Sequence, residues 1–170
     1  MIFPLILIAL GIGALAVYAS PSGRKWFDEH LFAVKGAATA NKTAEEQLEA
    51  AAQAAPPTGP AADPALQQVA QRHTTAAKTA TQAAAQKTAQ IALTAQTPQQ
   101  RAVATWMAAL TLAMQDQIKA FTALQIARGT GGSLSATRRA STAALEMVLA
   151  GHRARVATAK DELTKLGVSV

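Results

Sequence analysis

Three histidines, His30, His73 and His152, are the first residues to test for chemistry. Each sits in a different segment, and none has a second ligand three or four residues away, the spacing that sets two side chains on one helix face. No metal site is expected. Asp161-Glu162 and Glu45-Glu46 pair carboxylates, but both pairs read as helix-end charges rather than a general acid and base in a cleft. Ser133, Ser135 and Ser141 lack a nucleophile-elbow context. Gly129-Thr130-Gly131-Gly132 is a glycine loop before a helix, a geometry that can cradle phosphate. No strand is expected before it and no Gly-Lys-Ser/Thr follows, so it reads as a turn between helices. Cysteine is absent, which removes disulfides, redox pairs and thiolate ligands. The expectation is a non-enzymatic chain without a cofactor.

The remaining feature with chemical content is cationic. Arg128, Arg138, Arg139, Arg153 and Arg155 gather in one stretch and are candidate phosphate contacts. Residues 128–170 hold no aromatic side chain, so base stacking is not expected. Any nucleic acid would be held through phosphate, independent of base sequence. The alternative is a solvated basic face. Residues 1–61 carry four basic and five acidic groups, and residues 62–170 carry twelve and five, so the net charge of +6 belongs to the second part.

The elements that must position these residues begin with residues 2–19, a run without a charged side chain. Eighteen helical residues span about 27 Å, close to the hydrocarbon thickness of a bilayer. Ile2, Phe3, Leu5, Ile6, Leu7, Ile8, Leu10, Leu15 and Val17 supply the apolar surface of a transmembrane anchor. A cleaved export signal is the alternative: Val17-Tyr18-Ala19 before Ser20 resembles a cleavage site, but no cationic segment precedes the run. Arg24 and Lys25 follow it, with Trp26 and Phe27 as interfacial anchors. That places the rest of the chain on the cytoplasmic side of a single-pass membrane protein.

Residues 20–55 read as a juxtamembrane amphipathic segment, a small-residue spacer over 36–40, and a short helix capped by Thr43 and Glu46. Residues 56–62 contain three prolines and a glycine and form a linker or corner. Residues 63–170 then form a basic helical bundle with helices over about 64–96, 98–127 and 134–166. Asp63-Pro64 starts the first, and Thr97-Pro98-Gln99-Gln100 is a capping box for the second. Ser133 or Ser135 caps the third. Ala77, Ala80, Ala84, Thr88 and Ile91 form a narrow stripe with the 3–4 alternation of a coiled-coil seam. Val103, Met107, Leu110, Met114, Ile118 and Phe121 line the core face of the 98–127 helix, widened by Trp106, Leu112 and Leu124. Leu145, Val148, His152, Val156, Ala159, Leu163 and Leu166 form the facing stripe. Half of the residues are apolar but only 4% are aromatic, and alanine supplies most of the count. Alanine buries little area and favours helix, so the fold class is all-α, with long alanine-rich helices in a hairpin or coiled-coil bundle and oligomeric.

An apolar first helix, a proline-rich break and long Ala/Thr/Gln helices give an architecture that resembles the DNA pilot (ejection) proteins of small tailless phages. The resemblance rests on layout and composition, with residues 2–19 matching the anchor and 64–96 a wall helix. It implies a virion component whose copies associate into an α-helical tube, with Gln71, Gln82, Gln86 and Gln90 lining a lumen along which phosphates slide. The hairpin 98–166 departs from that family. A membrane-tethered scaffold joining a bilayer to a capsid or envelope protein is the alternative, and a membrane-tethered nucleic-acid-binding protein the second.

Overall fold

Four helices make up the described chain: α1 Pro21–Ala54, α2 Pro64–Thr94, α3 Pro98–Gly129 and α4 Ala136–Lys165. The computed structural model describes residues 21–56, 63–129 and 136–170, apart from the side chains of residues 21–30, 99, 129 and 136–138. The expected anchor over 2–19, the corner over 57–62, and the 130–135 turn with its Ser133 or Ser135 cap lie outside the described residues, as do the side chains of Arg24, Lys25, Trp26, Phe27 and Arg138. No strand occurs among the described residues, and none of their helices is long and apolar enough to cross a membrane.

Local signals set three of the boundaries. The Asp63 carboxylate accepts from the Ala65 amide at 2.7 Å, and Pro64 follows at the first helical position. At the start of α3 the Gln100 Oε1 accepts from the amides of Gln96 and Thr97 at 2.7 and 2.9 Å, while the Gln100 amide donates to Thr97 Oγ1 at 3.3 Å. This is the reciprocal capping box of the sequence pattern. α4 ends in a Schellman turn: the Val168 amide donates to the Leu163 carbonyl and the Gly167 amide to that of Thr164, both at 2.9 Å. Gly167 takes the positive φ of 83° that this turn requires.

The first part differs from expectation. Residues 36–40 are not a spacer and Thr43 caps nothing: α1 runs unbroken from Pro21 to Ala54. The helix propensity lost at Gly36 is about 1 kcal/mol, and tertiary packing outweighs it. Ala37, Asn41, Ala44, Leu48, Ala51 and Ala55 are all buried. Their spacing alternates four and three, a seam facing α2. On α2 the matching seam is Ala70, Ala77, Thr81, Ala84, Thr88 and Ile91. Ala80, expected in this stripe, is only half-buried beside it. Small side chains let the two backbones approach closely, and the end of the Lys87 side chain lies over Gly36. The threonine hydroxyls in the seam donate to their own helix, Thr81 to the Lys78 carbonyl and Thr88 to that of Ala84, which removes the penalty of burying them.

Side-chain contacts fix the directions. Gly36 lies by Lys87 and Gln47 by His73, so α1 and α2 are antiparallel. Asn41 meets Thr111 and Ala55 meets Gln125, so α1 and α3 run parallel. Asp116 faces Arg155 and Arg128 faces Glu146, so α4 returns antiparallel on α3. α3 touches every other helix, whereas α4 packs its backbone on α3 alone. Met107, Leu110, Met114, Ile118, Phe121 and Leu124 are buried, and Val103 and Trp106 half-buried. Leu112, expected on this face, is 60% exposed. On α4, Val156, Ala159 and Leu163 are buried and Leu145, His152 and Leu166 half-buried. Val148 is instead 49% exposed, and Leu149 takes the buried place. The stripe turns by one residue there because α4 presents a single face to α3.

Ala84 is fully buried in the α1–α2 seam. Ala84→Leu is expected to lower stability by about 1–3 kcal/mol through overpacking, while Ala89→Leu on the exposed side of the same helix changes it little. Urea denaturation followed by circular dichroism measures both.

Candidate interaction surfaces

On α4, Arg139 and Arg153 lie on nearly one line of the helix and Arg155 on another. Residues two apart on a helix point about 160° away from each other, so Arg153 and Arg155 diverge. Arg153 borders a cleft beside α1, and Arg155 turns toward α3, with Nη2 3.9 Å from Asp116 Oδ2 and 2.5 Å from His152 Nδ1. Arg139 is exposed. Arg128 is tied into the fold, with Nη2 2.8 Å from Glu146 Oε1 and Nη1 donating to the Pro56 carbonyl at 3.4 Å. Its side chain is largely buried, and it clamps the ends of α1, α3 and α4 together. The described arginines therefore do not converge on one phosphate-sized site.

Gln71, Gln82, Gln86 and Gln90 are all exposed on α2, on the side away from the buried seam. They form a hydrogen-bonding strip that no other helix among the described residues covers.

A cleft of about 380 Å³ opens where α1 and α4 stand apart above α3. Leu48, Phe121, Leu149 and Val156 give it an apolar floor, Glu45 and Glu49 an acidic wall, and Arg153 and Lys160 a basic one. Lys160 Nζ reaches Glu45 Oε2 at 2.6 Å across the gap. Both partners are about one-third exposed, so solvent limits the pair to roughly 1 kcal/mol or less. At the far end of α4 the Lys165 ammonium sits 2.7 Å from Asp161 and from Glu162. Its hydrogen bonds to Asp161, then Glu162, hold it well above the ordinary lysine range, so it stays cationic throughout the physiological range. Among the described residues no group of histidines and carboxylates is placed to hold a metal ion.

The residue that sequence reasoning passed over is Asn41. Its Nδ2 donates to Thr111 Oγ1 at 3.0 Å and lies 3.7 Å from Met107 Sδ, while Oδ1 is buried with no protein partner. The Thr111 hydroxyl in turn donates to the Met107 carbonyl at 2.9 Å. One amide in an otherwise apolar seam fixes axial register, because sliding either helix by a turn would strand it. Its position in the 37–55 heptad was the available signal, hidden once residues 36–40 were read as a spacer.

Comparison with protein families, with curated proteins and with solved structures finds no match in any of the three.

Asn41→Leu removes the buried orphan oxygen and leaves Thr111 with its carbonyl partner. The variant is expected to be as stable as the parent or up to about 1 kcal/mol more stable. It should also lose axial specificity, read as broadened amide resonances or mixed species in light scattering.

Proposed function

We propose that this chain is a non-enzymatic, membrane-anchored α-helical structural protein that works by assembly with itself and with other proteins. The observation that carries the reading is the placement of the uncharged run 2–19 immediately before Pro21, where α1 begins. α1 is one helix of 34 residues that supplies a whole seam of the core. Force or position imposed on the run therefore passes into the bundle without an intervening hinge at 36–40. The end of the bundle nearest Pro21 suits a bilayer surface: Phe32 and Leu93 are exposed there, alongside Lys35 and Arg101. Apolar side chains interspersed with cations favour the headgroup level of anionic membranes. In this reading a capsid or envelope protein is the partner on the far side, and the chain joins it to a lipid bilayer.

A second reading is a pilot-like virion protein whose copies line a path for a genome. It is favoured by the exposed glutamine strip of α2, a surface of neutral hydrogen-bonding groups that would bind phosphate weakly. Tethered nucleic-acid binding through the arginines of α4 has less support, since Arg153 and Arg155 point apart.

Vesicle flotation tests the anchor. The full chain is expected to float with anionic vesicles and to stay bound at 1 M salt, where the Debye length is about 3 Å and electrostatic attachment fails. Deletion of residues 2–19 is expected to abolish salt-resistant flotation. Release of the full chain by salt would overturn the anchor. Phe32→Ser with Leu93→Ser in the deletion background should further reduce any residual low-salt binding.

A further inference from the structure

Beyond its first turn α3 exposes Thr105, Leu112, Lys119 and Ile126, one residue in seven, so they stand on a single ridge. Leu112 and Ile126 are 60% and 66% exposed. Leu112 is two and a half turns from Phe121, so the ridge lies on the opposite side of α3 from the floor of the cleft. The ridge carries both signs of charge. Asp116 is on its α4 side, where Arg155 reaches it. Lys119 stands about 60° further from α4 and pairs with Asp116 at 3.2 Å in solvent. The cleft walls carry the opposite sign on each side, with Arg153 and Lys160 on α4 and Glu45 and Glu49 on α1. Glu49 and Arg153 stand on opposite walls and form no ion pair among the described residues.

We propose that copies of this chain associate head to tail, the α3 ridge of one copy seated in the α1–α4 cleft of the next, with all helices in the same direction. The heights agree without adjustment. Asn41 meets Thr111 and Ala55 meets Gln125, an offset of 70 residues at both points, which sets Glu49 level with Lys119. The pairs Asp116–Arg155 and Arg128–Glu146 set Arg153 at that level and Lys160 near Leu112. A copy shifted sideways, without turning, brings Lys119 to Glu49 and Asp116 between Arg153 and Lys160. The pair within the ridge is exchanged for one on each wall. Leu112 then lies over the methylenes of the Lys160–Glu45 bridge. Turning the incoming copy end for end would set Asp116 against the glutamates and Lys119 against the cations, so charge selects the parallel arrangement. Ridge and cleft are different surfaces, so the contact is heterologous and each added copy presents a fresh cleft. One ridge in one cleft of about 380 Å³ is a small contact, weak between dilute copies. Every Pro21 end falls on the same side, so a shared bilayer would concentrate the copies in the orientation in which they associate. The contact gives the self-assembly of the proposed function a surface and a direction, and rests on that reading.

The chain has no native cysteine, so introduced thiols report the contact. Full-length E49C and K119C chains are oxidised mildly on anionic vesicles, each alone and as a mixture. The expected result is a disulfide-linked dimer in the mixture and little in either variant alone. Positions 49 and 119 lie on opposite sides of one copy, too far apart to link within it. A chain carrying both substitutions should therefore give a ladder of dimers, trimers and higher species, where a two-fold contact would stop at the dimer. Arg153→Glu in the E49C chain should reduce linking several-fold, and Asp116→Arg in the K119C chain should restore it. Q90C, exposed on α2, should not link with E49C. No linking in the mixture, a doubly substituted chain that stops at the dimer, or equal linking by Q90C would each overturn the proposal. Glutaraldehyde treatment of the parent chain on the same vesicles separates the two readings. Oligomers there without the ladder would overturn this contact and leave self-assembly standing, and monomer in both would overturn both. Circular dichroism checks the fold of each variant; if one of the pair unfolds, R153C with D116C repeats the test on the other wall.

Discussion

Close approach of helix backbones is the constraint on which this fold depends. With few large apolar side chains, the chain cannot gain much by burying them one at a time. It gains instead by bringing α1 and α2 together along alanine seams, where many weak contacts between backbone and Cβ atoms add up. The rest of the design is compatible with that requirement. Threonine is tolerated in the seam because its hydroxyl turns back to its own helix, and Gly36 is tolerated in mid-helix because a neighbour's lysine lies over it. The larger residues are kept for α3, which touches every other helix and so receives Met107, Leu110, Met114 and Phe121.

The two halves of the bundle are held differently. α1 and α2 are fused by a small-residue seam, and one buried amide on α1 marks its register against α3. α4 is attached to α3 and reaches across to α1 with the Lys160–Glu45 pair in mid-span, while Arg128 of α3 holds both Glu146 of α4 and the Pro56 carbonyl after α1. Half-exposed ion pairs bridge a gap without fixing it tightly. α4 thus borders an open cleft on one side and is exposed on the side away from α3.

Caps and periodicity made much of this legible in the sequence. Asp63-Pro64, Thr97 with Gln100, and Gly167 set helix ends through local hydrogen bonds that need no tertiary context. The large side chains of α3 gave its core face for the same reason: a four–three recurrence of methionine, leucine and phenylalanine has few other readings. The illegible part was α1. Glycine and alanine over 36–40 resemble a spacer by composition, and only the partner helix turns their small size into an asset. Thr43 and Glu46 satisfy a capping pattern that the continuous helix leaves unused. Val148 and Leu149 differ by one position, and alanine neighbours gave no way to tell which faced inward. Arg153 and Arg155 are close in sequence and diverge in space, because a helix separates residues two apart.

The alanine seams have a thermal consequence. Unfolding exposes less apolar surface per residue here than in a leucine- or phenylalanine-rich core, while it exposes as much backbone, and backbone exposure lowers the heat capacity. The heat-capacity increment on unfolding therefore falls below the ~12–15 cal/mol/K per residue of ordinary domains. A small increment flattens the curve of stability against temperature. A bundle closed by Ala37, Ala44, Ala77 and Ala84 keeps nearly the same margin in the cold as in the warm, where an oil-rich core would lose part of its grip on cooling.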